Sequence, residues 1–312
     1  MNAAEGKPEL VVVCGPTGIG KTAAAIAIAQ AFRGEIISAD SMQIYKYMDI
    51  GTAKPTPEQQ AAVPHHLIDI VEPSEDFSAA QYARLAGEKV TALHRQGVLP
   101  VVVGGTGLYI KALVQGLFRS APIEPHIRQR LQEEAAAGGS ASLYERLRRH
   151  DPETARRLHP NDTFRILRAL EVFEATGRRI SAYQQAHRFA DENYHALKIG
   201  LQMERAALFA RINHRVETMI GAGLVDEVRG LLDRGYAPEL KAMQSIGYRH
   251  IVKHIRGQAD WEETRRTLKR DTRRYAKRQL TWFGADPAIN WKEPGRLEEM
   301  QTLVRRFLEA AA

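Results

Sequence analysis

A phosphate-binding loop near the N-terminus constrains the fold of this chain more than any other feature. The stretch Gly15–Thr22, GPTGIGKT, matches the pattern G-x-x-x-x-G-K-[ST]. It follows the apolar run Leu10–Val13 and opens the Ala/Ile-rich stretch Thr22–Phe32, which has helix propensity. A strand, a glycine-rich loop and a helix in this order direct backbone N–H groups and the helix dipole at one oxyanion. The sequence therefore predicts an anion-binding loop at the carboxyl end of a buried strand.

The composition is that of a globular, basic protein. The 312 residues include 44 Lys and Arg against 37 Asp and Glu, a formal net charge of +7. This charge favours an anionic partner without identifying it. The single cysteine, Cys14, allows no internal disulfide, and no Cys/His cluster has zinc-ligand spacing. The first apolar run is too short for a signal sequence or a membrane span. We expect a cytoplasmic protein without a membrane partner.

Strand and helix patterns alternate in the first third of the chain. Helical spacing covers Ser78–Gln96, with Ser78 as the expected N-cap. The predicted strands here are Leu10–Val13, Glu35–Ser38, Leu67–Ile70 and Leu99–Val103. This alternation predicts an α/β fold with a parallel sheet and helices on both faces. We assign residues 1–122 to the first part of this P-loop core.

The pattern becomes entirely helical from about residue 123. The predicted helices are Ile127–Ala137, Leu143–Arg149, Thr154–Leu158 and Thr163–Thr176, separated by glycine, proline and asparagine breakers. We interpret residues 123–190 as an all-helical insertion domain. The stretch HALKIGLQM then predicts a strand that rejoins the sheet, and Ala288–Trp291 a short last strand. Residues 191–312 thus complete the core and add a basic, helical C-terminal region.

The acid that usually accompanies a phosphate-binding loop is missing. ATP-using proteins of this architecture carry an acid after a neighbouring core strand, where it helps to hold Mg²⁺. Here the strand in LPVVVGGTGLY ends in Gly104, Gly105 and Thr106. Asp40 instead follows the strand in EIISADSMQIY, where a lone Asp is by default a cap or turn residue.

Ligands of parallel sheets nevertheless collect at the carboxyl ends of the strands. The loop, Asp40 and Thr106 are expected to converge there. Lys21 would supply a point charge, and the Thr22 hydroxyl would be a ligand for Mg²⁺, the expected cofactor. A phosphate cradle beside a basic carboxylate and a hydroxyl predicts a reaction site rather than an ATPase.

Seven motifs resemble those of the tRNA dimethylallyltransferases (isopentenyl-tRNA transferases) of the bacterial type. In order from residue 15 to residue 283 they are GPTGIGKT, SADSMQIYKYMDIGTAKP, PHHLIDI, GGTGLYIKAL, HPNDTFRILRALEV, SIGYRHI and KRQLTWF. Gly18 and Ile19 differ from the family's commoner Ala-Ser, and we expect them to contribute mostly backbone amides. The resemblance implies that the loop holds the diphosphate of dimethylallyl diphosphate. The dimethylallyl group would pass to N6 of the adenosine just 3′ of the anticodon, in tRNAs that read codons beginning with U, and pyrophosphate would leave.

The same resemblance assigns roles to individual residues. Asp40 is implied as the general base, with Thr106 and Arg128 as further catalytic residues at the diphosphate. The implied diphosphate-binding residues are Gly15, Pro16, Thr17, Gly18, Ile19, Gly20, Lys21 and Thr22. The implied contacts with the tRNA anticodon stem-loop are Asp40, Ser41, Met42, Gln43, Phe164, Arg165, Ile166, Leu167, Arg168, Gln244, Ser245, Ile246, Gly247, Tyr248, Arg249, Lys277, Arg278, Gln279, Leu280, Thr281, Trp282 and Phe283.

A basic helix is predicted over Trp261–Phe283. It has eight Lys or Arg residues against three acidic ones. On a helical wheel Trp261, Leu268, Tyr275 and Trp282 form an apolar seam, and the opposite side centres on Arg266, Lys269, Arg270, Arg273 and Lys277. Such a helix is either simply solvated or an RNA-backbone surface. Beside FRILR (164–168) and QSIGYR (244–249), we favour RNA contact, by a monomer.

Three other functions are alternatives to tRNA prenylation. A small-molecule P-loop kinase would not need the basic helix and would normally have the missing acid. An adenylate isopentenyltransferase, which prenylates free AMP or ATP, would need neither the insertion nor the basic helix. A non-enzymatic RNA-binding module would have no use for the phosphate-binding loop.

Overall fold

A six-stranded parallel sheet forms the centre of the fold. The computed structural model describes residues 7–118, 124–187 and 193–310. Its strands are β1 (Glu9–Cys14), β2 (Gly34–Ser38), β3 (His65–His66), β4 (Leu99–Gly104), β5 (His195–Leu201) and β6 (Ile289–Lys292). They lie in the order β3-β2-β4-β1-β5-β6, and every pair is parallel. The predicted α/β class with a parallel sheet is confirmed.

The chain divides into two compact units. The first comprises Met1–Val114 and Asn193–Ala312, and the second Gln115–Glu192, which contains the predicted insertion. Helices that belong wholly or mainly to the first unit are α1 (Lys21–Ala31), α2 (Pro57–Ala62), α3 (Ala79–Arg95), α4 (Gly107–Gln115), α9 (Arg205–Gly221), α10 (Leu224–Asp233), α11 (Tyr248–Ile255), α12 (Trp261–Gly284) and α13 (Leu297–Glu309). Those of the second are α5 (Pro125–His150), α6 (Pro152–Arg157), α7 (Thr163–Thr176) and α8 (Ile180–His187). No helix in the described ranges is long and apolar enough to cross a bilayer.

Strand β1 is buried on both faces, as its continuous apolar sequence predicts. Leu10 and Val12 belong to one hydrophobic cluster, and Val11 and Val13 to a second, because successive side chains of a strand point to opposite faces. Helices cover each face, and α1 packs its alanines against β2 and β4. The sheet is therefore packed on both faces beneath its carboxyl edge, where the phosphate-binding loop emerges.

The helices of the second unit enclose a core of their own. Leu131, Leu147, Ile166 and Leu170 are fully buried in it. The predicted bounds of Thr163–Thr176 are confirmed, with Asp162 as N-cap. The predicted helices Ile127–Ala137 and Leu143–Arg149 both lie in α5, on either side of Gly139, which breaks the helical geometry (φ 73°, ψ 173°). Helix α8 was not predicted, since its sequence ISAYQQAH has only a weak apolar face.

One predicted strand is wrong. Residues Leu67–Ile70 were expected to pair with the sheet, but the strand is His65–His66, which pairs with Ile36 and Ile37. Leu67 (φ 61°) and Asp69 (φ 57°) adopt left-handed backbone conformations, which are incompatible with a strand. The apolar residues of this segment instead pack against the first core cluster from a loop.

Candidate active site

The sheet order brings the loops after β1, β2 and β4 to one edge. Because β4 lies between β1 and β2, the segment after β4 separates the phosphate-binding loop from the loop that contains Asp40. The Thr106 N–H donates to Ala39 O at 3.1 Å, and the Ser41 N–H donates to Thr106 Oγ1 at 2.9 Å. Thr106 is thus hydrogen-bonded to Ala39 and Ser41, the residues on either side of Asp40.

Asp40 is a turn residue that uses only one of its two carboxylate oxygens as a hydrogen-bond acceptor for described residues. Its Oδ1 accepts hydrogen bonds from the N–H groups of Met42 (2.8 Å) and Gln43 (3.4 Å), the usual local bonding of an Asp after a strand. No described residue donates a hydrogen bond to Oδ2. The turn holds the carboxylate in place, and Oδ2 remains able to accept a proton from a substrate.

Lys21 begins helix α1, and its ammonium lies in a site that favours loss of its proton. Burial lowers the pKa of Lys21 to about 8, and the negative charge of Asp40 partly offsets this. The ammonium donates to Pro16 O at 2.8 Å, which turns the side chain back over the loop. A cation desolvated in this way gains strongly from a bound anion such as a diphosphate.

Helix α9 brings two further arginines to the loop, which the sequence reasoning missed. The end of the Arg211 side chain lies near Gly20, and Arg215, one helical turn on, is close enough to interact electrostatically with Asp40 and Lys21. Burial lowers the pKa of Arg215, and Asp40 raises it. Among the described residues no acceptor receives a hydrogen bond from the Arg215 guanidinium. No local motif marks these arginines, because only the fold places α9 beside the loop.

The buried face of α12 reaches the same edge of the sheet. Gln279 Oε1 accepts from the Thr17 N–H at 2.8 Å, and its Nε2 donates to Gly105 O at 2.9 Å. Burial raises the pKa of Tyr275, and so does the nearby negative charge of Asp40. These side chains connect the phosphate-binding loop to the Asp40 turn.

The residues at this edge are compatible with Mg²⁺ held mainly by substrate. No group of three or more His, Cys, Asp or Glu side chains in the described residues could hold a metal ion. Mg²⁺ usually binds through one or two protein oxygens together with substrate phosphates and water. The hydroxyl of Thr22, the second residue of α1, provides one such oxygen at the loop.

The loop after Asp40 is fixed by a carboxylate from another element. Glu227 on α10 accepts from three consecutive N–H groups, those of Asp49 (2.8 Å), Ile50 (2.7 Å) and Gly51 (3.0 Å), and from the Tyr248 hydroxyl at 2.6 Å. The Gln43 amide donates to Thr52 O and Ala53 O at 3.4 and 3.1 Å. The motifs DSMQIY and DIGTAKP therefore form one preorganised surface next to the site.

The buried side of α12 differs from the predicted seam. Thr264, Leu268, Ala276, Gln279 and Phe283 are buried, whereas Trp282 is 47 % exposed. Much of the cationic side is paired with protein groups, some on α9 and some on α12 itself. Lys269 and Arg265 pair with Glu217, Arg266 with Glu263, Arg270 with Asp271, and Arg273 with Asn213. Lys277 and Arg278 are exposed and form no salt bridge with a described acid.

A family model described as "IPP transferase" matches residues 43–286. The chain belongs to the IPP transferase family. The predicted family is thereby confirmed, and the match spans both compact units.

Named relatives of this IPP transferase cover nearly its whole length. It is 57% identical to a "tRNA dimethylallyltransferase" of Desulfosudis oleivorans over 97% of this chain and 96% of that one. A protein of the same name from Geobacter sulfurreducens is 51% identical over 98% and 99%. A solved tRNA isopentenylpyrophosphate transferase from Bacillus halodurans has 40% identity and a TM-score of 0.72, covering 97% of this chain and 98% of that one. A eukaryotic dimethylallyltransferase solved acting on tRNA has 27% identity and a TM-score of 0.80, covering 96% and 77%.

Some residues assigned to tRNA contact by motif have no side-chain surface in this IPP transferase. Ile166, Tyr248, Gln279 and Phe283 are at most 5% exposed, and Gly247 is also buried. The assignment included them because whole motifs were transferred, and a motif on a helix has an inner face as well as an outer one. Exposed members of the set are Phe164, Arg165, Gln244, Lys277, Arg278, Thr281 and Trp282, and the others are partly buried.

Arg128 lies on α5, in the second unit. Its guanidinium pairs with the buried carboxylate of Glu171, through Nε at 2.8 Å and a terminal nitrogen at 3.2 Å. This bidentate pair fixes the orientation of the Arg128 side chain on α5. The role of Arg128 at a diphosphate stays a prediction.

Proposed function

We propose that this IPP transferase transfers the dimethylallyl group of dimethylallyl diphosphate to N6 of the adenosine just 3′ of the anticodon, in tRNAs that read codons beginning with U. The observation that carries the proposal is the convergence of Lys21, Asp40 and Thr106 at one sheet edge where β4 ends without a carboxylate. The relatives named tRNA dimethylallyltransferase support it. We further propose that it acts as a monomer in the cytoplasm.

The diphosphate side of the reaction requires stabilisation of a leaving group. The loop amides, the Lys21 ammonium and the Arg215 guanidinium provide positive charge in a partly desolvated site, where such charge acts most strongly. Mg²⁺, held by Thr22 and the diphosphate, would supply further neutralisation of the departing pyrophosphate. Thr106 would hydrogen-bond an oxygen near the bond that breaks, and Arg128 would clamp the diphosphate.

The acceptor side requires removal of a proton from a weakly nucleophilic amine. The N6 lone pair forms the new C–N bond, the allylic C–O bond breaks, and its electron pair leaves with pyrophosphate. Asp40 Oδ2 would take the N6 proton, since the turn engages only Oδ1. The adenine must leave the anticodon-loop stack, which costs only a few kcal/mol for a base in a single-stranded loop.

An RNA acceptor fits the surface beside this edge. Lys277, Arg278 and Trp282 are exposed on α12, within one turn of the buried Gln279. Cations for phosphates and an exposed aromatic ring for an unstacked base are the usual means of binding single-stranded RNA. An enzyme that acts on free AMP or ATP would not need this surface.

The direct test supplies radiolabelled dimethylallyl diphosphate and Mg²⁺ with unmodified tRNA, AMP or ATP as separate acceptors. The proposal predicts label in tRNA alone and no steady hydrolysis of ATP. Labelled AMP or ATP would instead identify an adenylate isopentenyltransferase, and ATP hydrolysis that depends on Lys21 would identify a P-loop ATPase or kinase.

A further inference from the structure

The two glycines on either side of Thr106 lie against helix α12. A Cβ atom on Gly105 would lie 2.2 Å from Gln279 Nε2, and one on Gly107 would lie 2.1 Å from Trp282 Nε1. Gln279 and Trp282 are three residues apart and so share one side of the helix. The helix therefore docks directly on the backbone around Thr106, and a side chain at Gly105 or Gly107 would force Gln279 or Trp282 to shift.

Gln279 also contacts the opposite wall of the site. Gln279 is 5% exposed, and its amide uses both of its ends: Oε1 accepts from the Thr17 N–H in the phosphate-binding loop, and Nε2 donates to Gly105 O after β4. The Cβ position of Gly105 is itself 3.5 Å from Gly15 O, so the two backbone segments are already adjacent. Gln279 closes the junction between them.

The chemistry of this junction requires an uncharged amide. One partner is a backbone N–H, which needs an acceptor, and the other is a backbone C=O, which needs a donor. Among side chains of this length only glutamine offers both without a charge. A buried carboxylate would leave Gly105 O without its donor and would add negative charge beside a site that binds an anion.

We propose that Gln279 is a positioning residue that sets the phosphate-binding loop and Thr106 at their working separation, rather than a contact for RNA. The inference rests on the proposed function, because it assumes that the loop binds an allylic diphosphate. Gln279 acts through the Thr17 N–H, which is committed to it, and through Gly105, the neighbour of Thr106. Replacing Gln279 therefore weakens the affinity for the diphosphate and leaves the affinity for RNA unchanged.

The test measures three quantities for Gln279→Met and Gln279→Glu: the Kd of Mg²⁺–pyrophosphate by calorimetry, the Kd of an anticodon stem-loop RNA, and the KM for each substrate. Methionine keeps the length of the side chain but forms neither hydrogen bond. We expect the pyrophosphate Kd and the KM for the allylic diphosphate to rise roughly tenfold, as for a lost buried hydrogen bond of the backbone. The RNA Kd should stay within about twofold of the wild-type value.

The matched control is Gln301→Met on α13, which removes a hydrogen bond to Ala27 O in the middle of α1 and should leave all three quantities unchanged. Should Gln279→Met fail to fold, Gln279→Glu still tests the inference: it retains the acceptor for Thr17, loses the donor to Gly105 and adds a negative charge, so an unchanged pyrophosphate Kd in this variant also contradicts the inference. An unchanged pyrophosphate Kd, or a loss confined to RNA affinity, overturns the inference. A wild-type protein that labels no tRNA would instead contradict the proposed function, whatever the Gln279 variants do.

Discussion

The Ser41 N–H and the Thr106 hydroxyl are joined by a hydrogen bond of 2.9 Å, which ties the end of β4 to the residue after Asp40. Thr106 in turn donates to Ser41 Oγ at 3.3 Å. This pair links the hydroxyl that we propose contacts the diphosphate to the turn that holds Asp40, the proposed base. The position of one therefore depends on the position of the other.

Thr106→Val should test this link. Valine keeps the shape of the side chain but leaves the Ser41 N–H without its acceptor, a loss of about 1–3 kcal/mol where the group is buried. We expect kcat for prenyl transfer to fall roughly 10- to 100-fold, in line with that energy. Thr106→Ser keeps the hydroxyl and should stay within a fewfold of wild type in the same steady-state assay. Equal activity of the Val and Ser variants would show that the hydroxyl has no role.

Asp40→Asn separates the turn from the chemistry. The amide oxygen can still accept from the Met42 and Gln43 N–H groups, so the fold and the pyrophosphate affinity should be retained. It cannot take a proton, and we expect the single-turnover rate to fall roughly 10²–10⁴-fold. A single-turnover rate near that of wild type would leave Asp40 a purely structural residue.

The lowered pKa of Lys21 predicts that binding of the diphosphate depends on pH. Burial lowers the pKa of the ammonium in the free protein to about 8, so the group is mostly charged below that pH and loses its proton as pH rises through it. The affinity for dimethylallyl diphosphate should therefore be constant up to about pH 8 and decline above it, by up to tenfold per pH unit. Binding titrations at several pH values measure this.

Lys21→Met provides the control for that profile. The variant should bind the diphosphate weakly, show no inflection near pH 8, and have no detectable transfer. An inflection that persists in the variant would have to belong to another group.

The exposed cations of α12 should contribute salt-dependent affinity for tRNA. Lys277→Gln and Arg278→Gln should each reduce the slope of log Kd against log salt by about one unit, with kcat little changed. Arg273 is the matched control on the same helix, because its guanidinium is bonded to Asn213 at 2.7 Å. Arg273→Gln should therefore leave the slope nearly unchanged. Slopes that are identical in all three variants would mean that this face is only solvated.

Structural features that depend on local sequence patterns could be predicted from the amino-acid sequence. The phosphate-binding loop, Ser78 as a helix cap, and the bounds of Thr163–Thr176 all follow from spacing and capping. The convergence of Asp40 and Thr106 followed from a general property of parallel sheets. Each of these inferences uses neighbouring residues or one rule of topology.

Features that depend on distant packing could not be predicted. Arg215 reaches the loop from a helix nearly 200 residues further along the chain. Gln279 lies in a motif that resemblance assigned to RNA as a whole, and only the docking of α12 shows that it faces inward. The left-handed backbone at Leu67 and Asp69 is set by tertiary contacts that override strand propensity.

Mapping the modified nucleoside tests the central claim most directly. Unmodified tRNA is incubated with the protein, dimethylallyl diphosphate and Mg²⁺, digested with a base-specific nuclease, and its fragments are sequenced by mass spectrometry. We predict one dimethylallyl group, on the adenosine just 3′ of the anticodon, in the wild-type reaction and almost none with Asp40→Asn over the same short interval. A dimethylallyl group at another nucleotide, or an unmodified tRNA after prolonged incubation with the wild-type protein, would contradict the account.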